Sequence, residues 1–312
     1  MKPKEDSHDG GGGLPFALAA YFLWGVVPLY IALLVTVDPL RFVAWRILWT
    51  IPICLAALLA TRRLAQIRTA FSDGRTICLL LVTSALIAAN WLIYVMAVVS
   101  GHIYAASLGY YINPLLNILL GTVFLRERLS RLQWLAVAIA AAGIAVLAKD
   151  AAATLVMSVL LAATFAVYGL IRKLLPVGAM QGLMAEVLIL ALPSVAVLAF
   201  YPRGAADFGD GLRISLLLVG SGFITGIPLM LFAAAARRMD YSALGFVQFL
   251  APTMVFLFGL FLFQEELKSA QAISFALIWA AIALFCGDIL VRRQARGRAY
   301  RADAKRNGSP TA

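Results

Sequence analysis

The sequence predicts an all-α membrane protein, with ten transmembrane helices in two inverted five-helix repeats. Three observations carry that expectation. Of 312 residues, 63% are hydrophobic and only 13% are charged, where soluble domains sit near a quarter charged. Apolar runs long enough to cross a hydrocarbon core of ~30 Å recur along the whole length. The chain also repeats itself at an interval of 138 residues.

The elements follow in order. Residues 1–13 are polar, contain three acids and end in a glycine run. They are expected to be a disordered cytoplasmic lead-in and lack the basic start of a signal peptide. The first repeat, 14–148, holds spans near Leu14–Val37, Phe42–Ala60, Ile77–Val99, Ile103–Leu125 and Leu132–Ala148. The second, 151–291, holds Ala151–Ile171, Met180–Tyr201, Leu212–Ala236, Ser242–Phe263 and Ala270–Val291. Residues 292–312 form a basic tail.

The net charge of +11 is a matter of placement. With a cytoplasmic N-terminus, cytoplasmic segments collect 20 of the 26 Lys and Arg residues, including Arg62, Arg63, Arg126, Arg172, Lys173, Arg237 and the tail. The opposite side gets five: Arg41, Lys149, Arg203, Arg213 and Lys268. This obeys the positive-inside rule and puts both termini in the cytoplasm. The basicity therefore encodes topology and contact with lipid, not a nucleic-acid surface. Cys54, Cys78 and Cys286 fall within spans without metal-ligand spacing and are expected to be small buried hydrophobes. No metal or cofactor is expected.

The repeat rests on identical spacing. Pro114, Gly121, Glu127, Leu129 and Gln133 correspond to Pro252, Gly259, Glu265, Leu267 and Gln271. "LAAYFLWG" (18–25) agrees with "LAATFAVYG" (161–169). Five spans is an odd number, so the second half enters the membrane from the other side. Inverted repeats of this kind characterise alternating-access transporters.

Polar residues inside spans mark a candidate site. Tyr110, Asn113, Asn117 and Gly121 share one helix face. Pro114 frees the carbonyl of Tyr110, which lipid cannot satisfy, so this face is expected to point into the bundle. Trp24, Tyr94, Tyr110 and Tyr168 offer stacking surface, and Asn90, Asn113, Asn117 and Gln248 offer orienting hydrogen bonds. Together they suggest a site for a neutral or zwitterionic amphipathic solute. For any single Asn, bonding between helices is the blander alternative. Pro114, Pro228 and Pro252 are expected to mark helix breaks.

Two charges lie within spans, Arg46 and Glu186, each roughly 9 Å deep by helix rise. Such residues usually face the interior and are paired or functional. Glu186 is the candidate proton-coupling or substrate-ammonium site, with Arg46 sharing that role; the alternatives are that Arg46 snorkels outward while Glu186 hydrogen-bonds locally, or that the two form a structural ion pair. Asp288 is expected to pair locally with Arg292, and Glu127 to be structural.

The stretches "LAAYFLWGVVPLY", "ANWLIYVMAV", "ASLGYYINPLLNILLGTVFLRERL", "YGLIRK" and "ALGFVQFLAPTMVFL" together resemble the RarD family. These are bacterial inner-membrane proteins of the drug/metabolite transporter superfamily with duplicated EamA domains. The resemblance runs from about Ala17 to Val291 and implies a permease. It places Arg46 and Glu186 where similar sequences carry an Arg and a Glu. The family is named for chloramphenicol sensitivity, and related members export amino acids, nucleosides or drugs. The expected protein is thus a secondary transporter of a small molecule, with protons as the candidate coupling ion. A receptor or scaffold needs no motif and stays open as an alternative. An intramembrane enzyme is disfavoured because His102 lies at the boundary and no Gly-x-Ser-x-Gly element occurs. The same spans and polar stripe suit several substrates, either direction of transport and any oligomeric state.

Overall fold

The computed structural model describes residues 12–71, 73–99, 103–149, 155–261 and 269–306. Eleven α-helices account for almost all of it, in order α1 Leu14–Ile31, α2 Pro39–Ala60, α3 Gly74–Val99, α4 Ile103–Phe124, α5 Arg131–Lys149, α6 Leu155–Leu174, α7 Ala179–Phe200, α8 Leu212–Ala236, α9 Tyr241–Gln248, α10 Leu250–Phe261 and α11 Ser269–Arg306. Among the described residues, nine helical segments are long and apolar enough to cross a membrane, with Leu108–Phe124 of α4 a shorter apolar one. The chain is a multi-pass helical membrane protein. His102 and Glu265 lie outside the described residues, as do residues 1–11 of the lead-in.

Several boundaries differ from the sequence reading, each for a local reason. The first span ends as an α-helix at Ile31 and tightens into a 3₁₀ turn over Ala32–Leu34, after Pro28 has removed a hydrogen bond. The second starts three residues early, at Pro39. There the Asp38 carboxylate caps the amides of Leu40 (2.9 Å) and Arg41 (3.3 Å), and proline is tolerated in the first turn. The ninth expected span is two helices, α9 and α10, joined at Phe249 and three residues ahead of Pro252. In contrast, α4 and α8 run unbroken through Pro114 and Pro228, correcting the expectation of breaks there. One missing amide is not enough to end a helix held by its neighbours, α4 by α6 and α9 and α8 by α1 and α2. The last helix continues past Val291 to Arg306.

By packing, the described chain divides into two compact units. The larger contains α1–α4 and α6–α10. Within it α4 packs on α6 and α9, α2 on α7 and α8, and α1 on α8 and α10. Two glycines illustrate how closely the helices approach. A Cβ on Gly109 would meet Ser158 O of α6 at 3.0 Å, and one on Gly245 would meet Pro114 O of α4 at 2.8 Å. Small residues at such crossings let backbones approach where lipid offers no hydrophobic driving force. Glu127, after α4, reaches the start of α9 and accepts from Tyr241 N (2.7 Å), Ser242 N (2.8 Å) and Ser242 Oγ (2.7 Å). Its structural role is that of a helix cap supplied from another segment.

The smaller unit is α5 with α11. Ser130 and Gln133 form a reciprocal cap at the start of α5, Gln133 N to Ser130 Oγ (3.0 Å) and Ser130 N to Gln133 Oε1 (2.9 Å). Ala136, Ala140 and Gly143 are buried on one face, and Gly143 lies against Ser274 O and Ile278 of α11. Asp288 pairs with Arg292 at 2.8 Å one turn on.

Cys54 is buried, but Cys78 and Cys286 are exposed, on outward helix faces. In lipid an apolar thiol has no reason to avoid that surface.

Candidate functional site

Arg46 sits in the third turn of α2, turned inward and 6% exposed, so it does not snorkel. Its Nε donates to Thr225 Oγ1 of α8 at 3.0 Å. The Thr225 hydroxyl in turn donates to Ser221 O at 2.7 Å, which leaves a lone pair aimed at the guanidinium. The guanidinium lies 4.7 Å over the Trp91 ring and 5.7 Å from that of Phe42. Tyr94 and Tyr110, 5.4 Å apart in an edge-to-face pair, bring their hydroxyls toward it. Tyr110 remains 40% exposed although it stands at the middle of α4 in this cluster. Part of its ring is left uncovered by the other described residues.

Among the described residues no carboxylate pairs with Arg46, and its terminal nitrogens have no hydrogen-bond partner. Stacking on aromatic rings is worth ~2 kcal/mol when desolvated. Removing an unpaired ion from water costs several kcal/mol even after relaxation. The cage alone does not balance the burial.

A second cluster joins α1, α4, α6, α8 and α9. Asn117 Nδ2 donates to Gln248 Oε1 at 2.6 Å, and the Tyr21 hydroxyl approaches the same oxygen at 3.4 Å. Tyr21, Trp24, Phe165, Tyr168 and Phe232 form a continuous aromatic group with centroids 5.1–6.4 Å apart. Trp24 is only partly buried and can present a face, whereas Tyr168 is fully buried and offers none. Asn113 and Asn117 are buried, and the side-chain oxygens of both lack a hydrogen-bond partner. Buried amide oxygens are rarely left so. Asn90 takes the blander role, its Nδ2 bonding Leu161 O (2.8 Å) and Thr164 Oγ1 (3.0 Å) of α6.

Glu186, in the third turn of α7, is fully buried. Its carboxylate lies 3.6 Å from the Arg172 Nη1 and accepts from the Tyr168 hydroxyl at 3.2 Å, with Thr83 as a further neighbour. Arg172, counted by charge to a cytoplasmic segment, is itself 1% exposed and donates to Ala179 O at 2.8 Å. Lys173 is likewise bound, to Ala236 O (2.9 Å) and Met239 O (2.6 Å), closing the end of α8. Arg46 and Glu186 occupy separate clusters with separate partners.

Sequence reasoning missed Trp91, Phe42, Thr225, Phe232 and the Arg172 partner. Trp91 carried a usable signal, since it precedes Tyr94 by three residues and therefore shares its helix face. The pairing of Arg172 with Glu186 crosses a turn between two helices and has no periodic signature.

The first half of the chain, residues 11–149, matches the EamA-like transporter family. A protein named RarD from Salmonella typhi is 38% identical over 89% of this chain and 95% of its own length. An uncharacterized transporter of Vibrio cholerae is 37% identical over 94% and 98%. A chloramphenicol-sensitive protein RarD of Pseudomonas aeruginosa is 31% identical over 92% and 98%. One solved crystal structure superposes with a TM-score of 0.71 at 19% identity, covering 89% of this chain and 98% of its own, a likeness of fold alone.

Proposed function

The chain belongs to the RarD family of EamA-like transporters, and on that premise we propose that it exports a small amphipathic molecule by alternating access. That it is a membrane transporter, a permease and not an enzyme, follows from the family. The export, the mechanism and the site are our reading. One observation carries the site. Asn113 and Asn117 hold buried, unpartnered amide oxygens on the same α4 face as Tyr110, which is 40% exposed. A polar lining with unused hydrogen-bonding capacity beside an aromatic wall is what an orienting small-molecule site requires.

In this reading Tyr94, Tyr110 and Trp24 supply the stacking surface, and Asn113, Asn117 and Gln248 orient the solute. The interruption at Phe249, between α9 and α10, is where a gating motion is absorbed. Charge asymmetry supports a reading with both termini on the cytoplasmic side of a bacterial inner membrane. Protons are the coupling ion, acting at Glu186.

The test is accumulation of labelled solute in sensitive cells. A relative's name suggests chloramphenicol as the first probe and a panel of amino acids as the second. Cells expressing the protein are expected to accumulate less of one probe than cells expressing Tyr110→Ala or Asn113→Leu, and a protonophore is expected to remove the difference. Equal accumulation of chloramphenicol, with the protein found in the membrane, excludes that drug. Equal accumulation of the amino acids as well overturns export of this class of solute.

A further inference from the structure

The Arg46 cluster says more about the solute than the amides do. We propose that Arg46 is the anion-binding residue of the transport site and that the transported solute is a small organic monoacid. Its carboxylate pairs with the free terminal nitrogens of Arg46, and its apolar body lies against Trp91, Tyr94 and Tyr110. The inference rests on the transporter reading above and sharpens it from an amphipathic molecule to an acid.

Four features carry it. The guanidinium is more than nine-tenths buried, yet no carboxylate faces it among the described residues. The acids deep in the same unit are committed elsewhere: Glu186 to Arg172, Asp207 to Arg41 and Glu127 to the start of α9. Its Nε is fixed on Thr225, and the ring of Trp91 lies along the guanidinium. The two terminal nitrogens are therefore held in place while making no hydrogen bond, the fork that a carboxylate engages with two parallel bonds. Finally, Tyr110 beside it is 40% exposed, so protein does not close off that side of the cluster.

The charge balance selects the class. The groups that face the guanidinium are Phe42 on its own helix, Trp91 and Tyr94 on α3, Tyr110 on α4 and Thr225 on α8. None is charged at neutral pH. A single carboxylate neutralises this site, whereas a phosphate monoester would leave excess negative charge buried, and an amine would add a second cation. An amino acid qualifies only if its ammonium group finds a separate acceptor, for which the unpartnered Asn113 oxygen is placed on the next turn of α4.

The experiment uses the full chain reconstituted in liposomes, with labelled phenylacetate, phenylacetamide, phenethylamine, phenyl phosphate, phenylalanine and chloramphenicol as probes. Binding is followed in parallel by quenching of tryptophan fluorescence. Wild type is expected to prefer phenylacetate to phenylacetamide by at least about tenfold, the worth of one hydrogen bond to a charged group. Arg46→Gln should erase that ratio, and Arg46→Lys should keep part of it. A structural arginine would not set an acid-to-amide ratio. The wild-type comparison needs no variant, so a poorly folding Arg46→Gln does not rescue the idea. Equal handling of acid and amide, a preference for phenethylamine or phenyl phosphate, or an unchanged ratio in a folded Arg46→Gln overturns the monoacid assignment and leaves the transporter standing. If no probe binds or moves in protein shown to be folded, the transporter site itself fails, and the inference with it.

Discussion

At the scale of single residues, Glu186 and Arg172 separate coupling from structure. Both are fully buried, and the carboxylate sits among Arg172, Tyr168, Thr83 and Cys54. Removing one charge leaves the other uncompensated in low dielectric, which typically costs 3–5 kcal/mol. Glu186→Gln should therefore lower the melting temperature of the purified protein sharply. Glu186→Gln combined with Arg172→Met should recover most of the loss, because a neutral, well-packed pair replaces a half-broken one. If Glu186 carries the proton, flux through the double variant no longer responds to a pH gradient even though stability has returned. A normal gradient response in that stable double variant places coupling elsewhere. The residues themselves were legible in the sequence, since charges within apolar spans stand out. Arg172 and Thr225 were not legible as their partners, because they reach the site from other helices, whereas the spacing of Trp91 from Tyr94 was a usable clue.

At the scale of helices, the sequence gives lengths and apolar faces well and interruptions poorly. Proline marks where a hydrogen bond is missing, and whether the helix ends there depends on what packs beside it. Pro114 lies inside an unbroken α4, while the chain breaks at Phe249 ahead of Pro252. The start of α9 has a cap of its own kind. Asp240 precedes it but makes no side-chain cap there, and Glu127 supplies the acceptor from the end of α4. An anion at a helix N-terminus also meets the positive end of the helix dipole. Glu127→Ala leaves two amides and a hydroxyl without their acceptor, and hydrogen bonds to a charged group are worth about 1.5–3 kcal/mol each at most. We expect a loss of stability near the upper part of that range and faster amide exchange at Tyr241 and Ser242 than elsewhere in the bundle. Glu127→Gln should keep part of the protection, since its carbonyl still accepts. Exchange unchanged at Tyr241 in Glu127→Ala would show that the cap does not hold α9.

For the molecule as a whole, the segment between α7 and α8 fastens two distant parts of the larger unit, and it makes stability depend on pH in a definite direction. Asp207 is 1% exposed and pairs with Arg41 of α2, whose guanidinium also donates to Leu198 O (3.1 Å) and Tyr201 O (2.8 Å). Trp45 Nε1 donates to the other carboxylate oxygen at 2.6 Å, and Arg203 lies 3.4 Å away. Asp210 faces the backbone amide of Asp207, not its carboxylate. Burial pushes the Asp207 carboxyl upward, but the Phe208 amide, Trp45 and Arg41 outweigh it and hold the group below the usual carboxylate range. A depressed folded-state value means that the stabilisation is complete above the unfolded value of about 3.9. It disappears as pH falls through the lower folded value. The melting temperature of wild type should thus show no pH dependence from this group between pH 7 and about 5, and a loss below about 4. Asp207→Asn should melt lower at neutral pH by an amount at the low end of the ~3–5 kcal/mol expected for breaking a buried pair, because Arg41 retains two carbonyl acceptors. The difference between the two proteins should shrink on acidification, as protonated Asp207 comes to resemble the amide. A gap that stays constant from pH 7 to pH 3 would mean that the ion pair contributes nothing through its charge, leaving the carbonyl and indole hydrogen bonds to hold the segment in place.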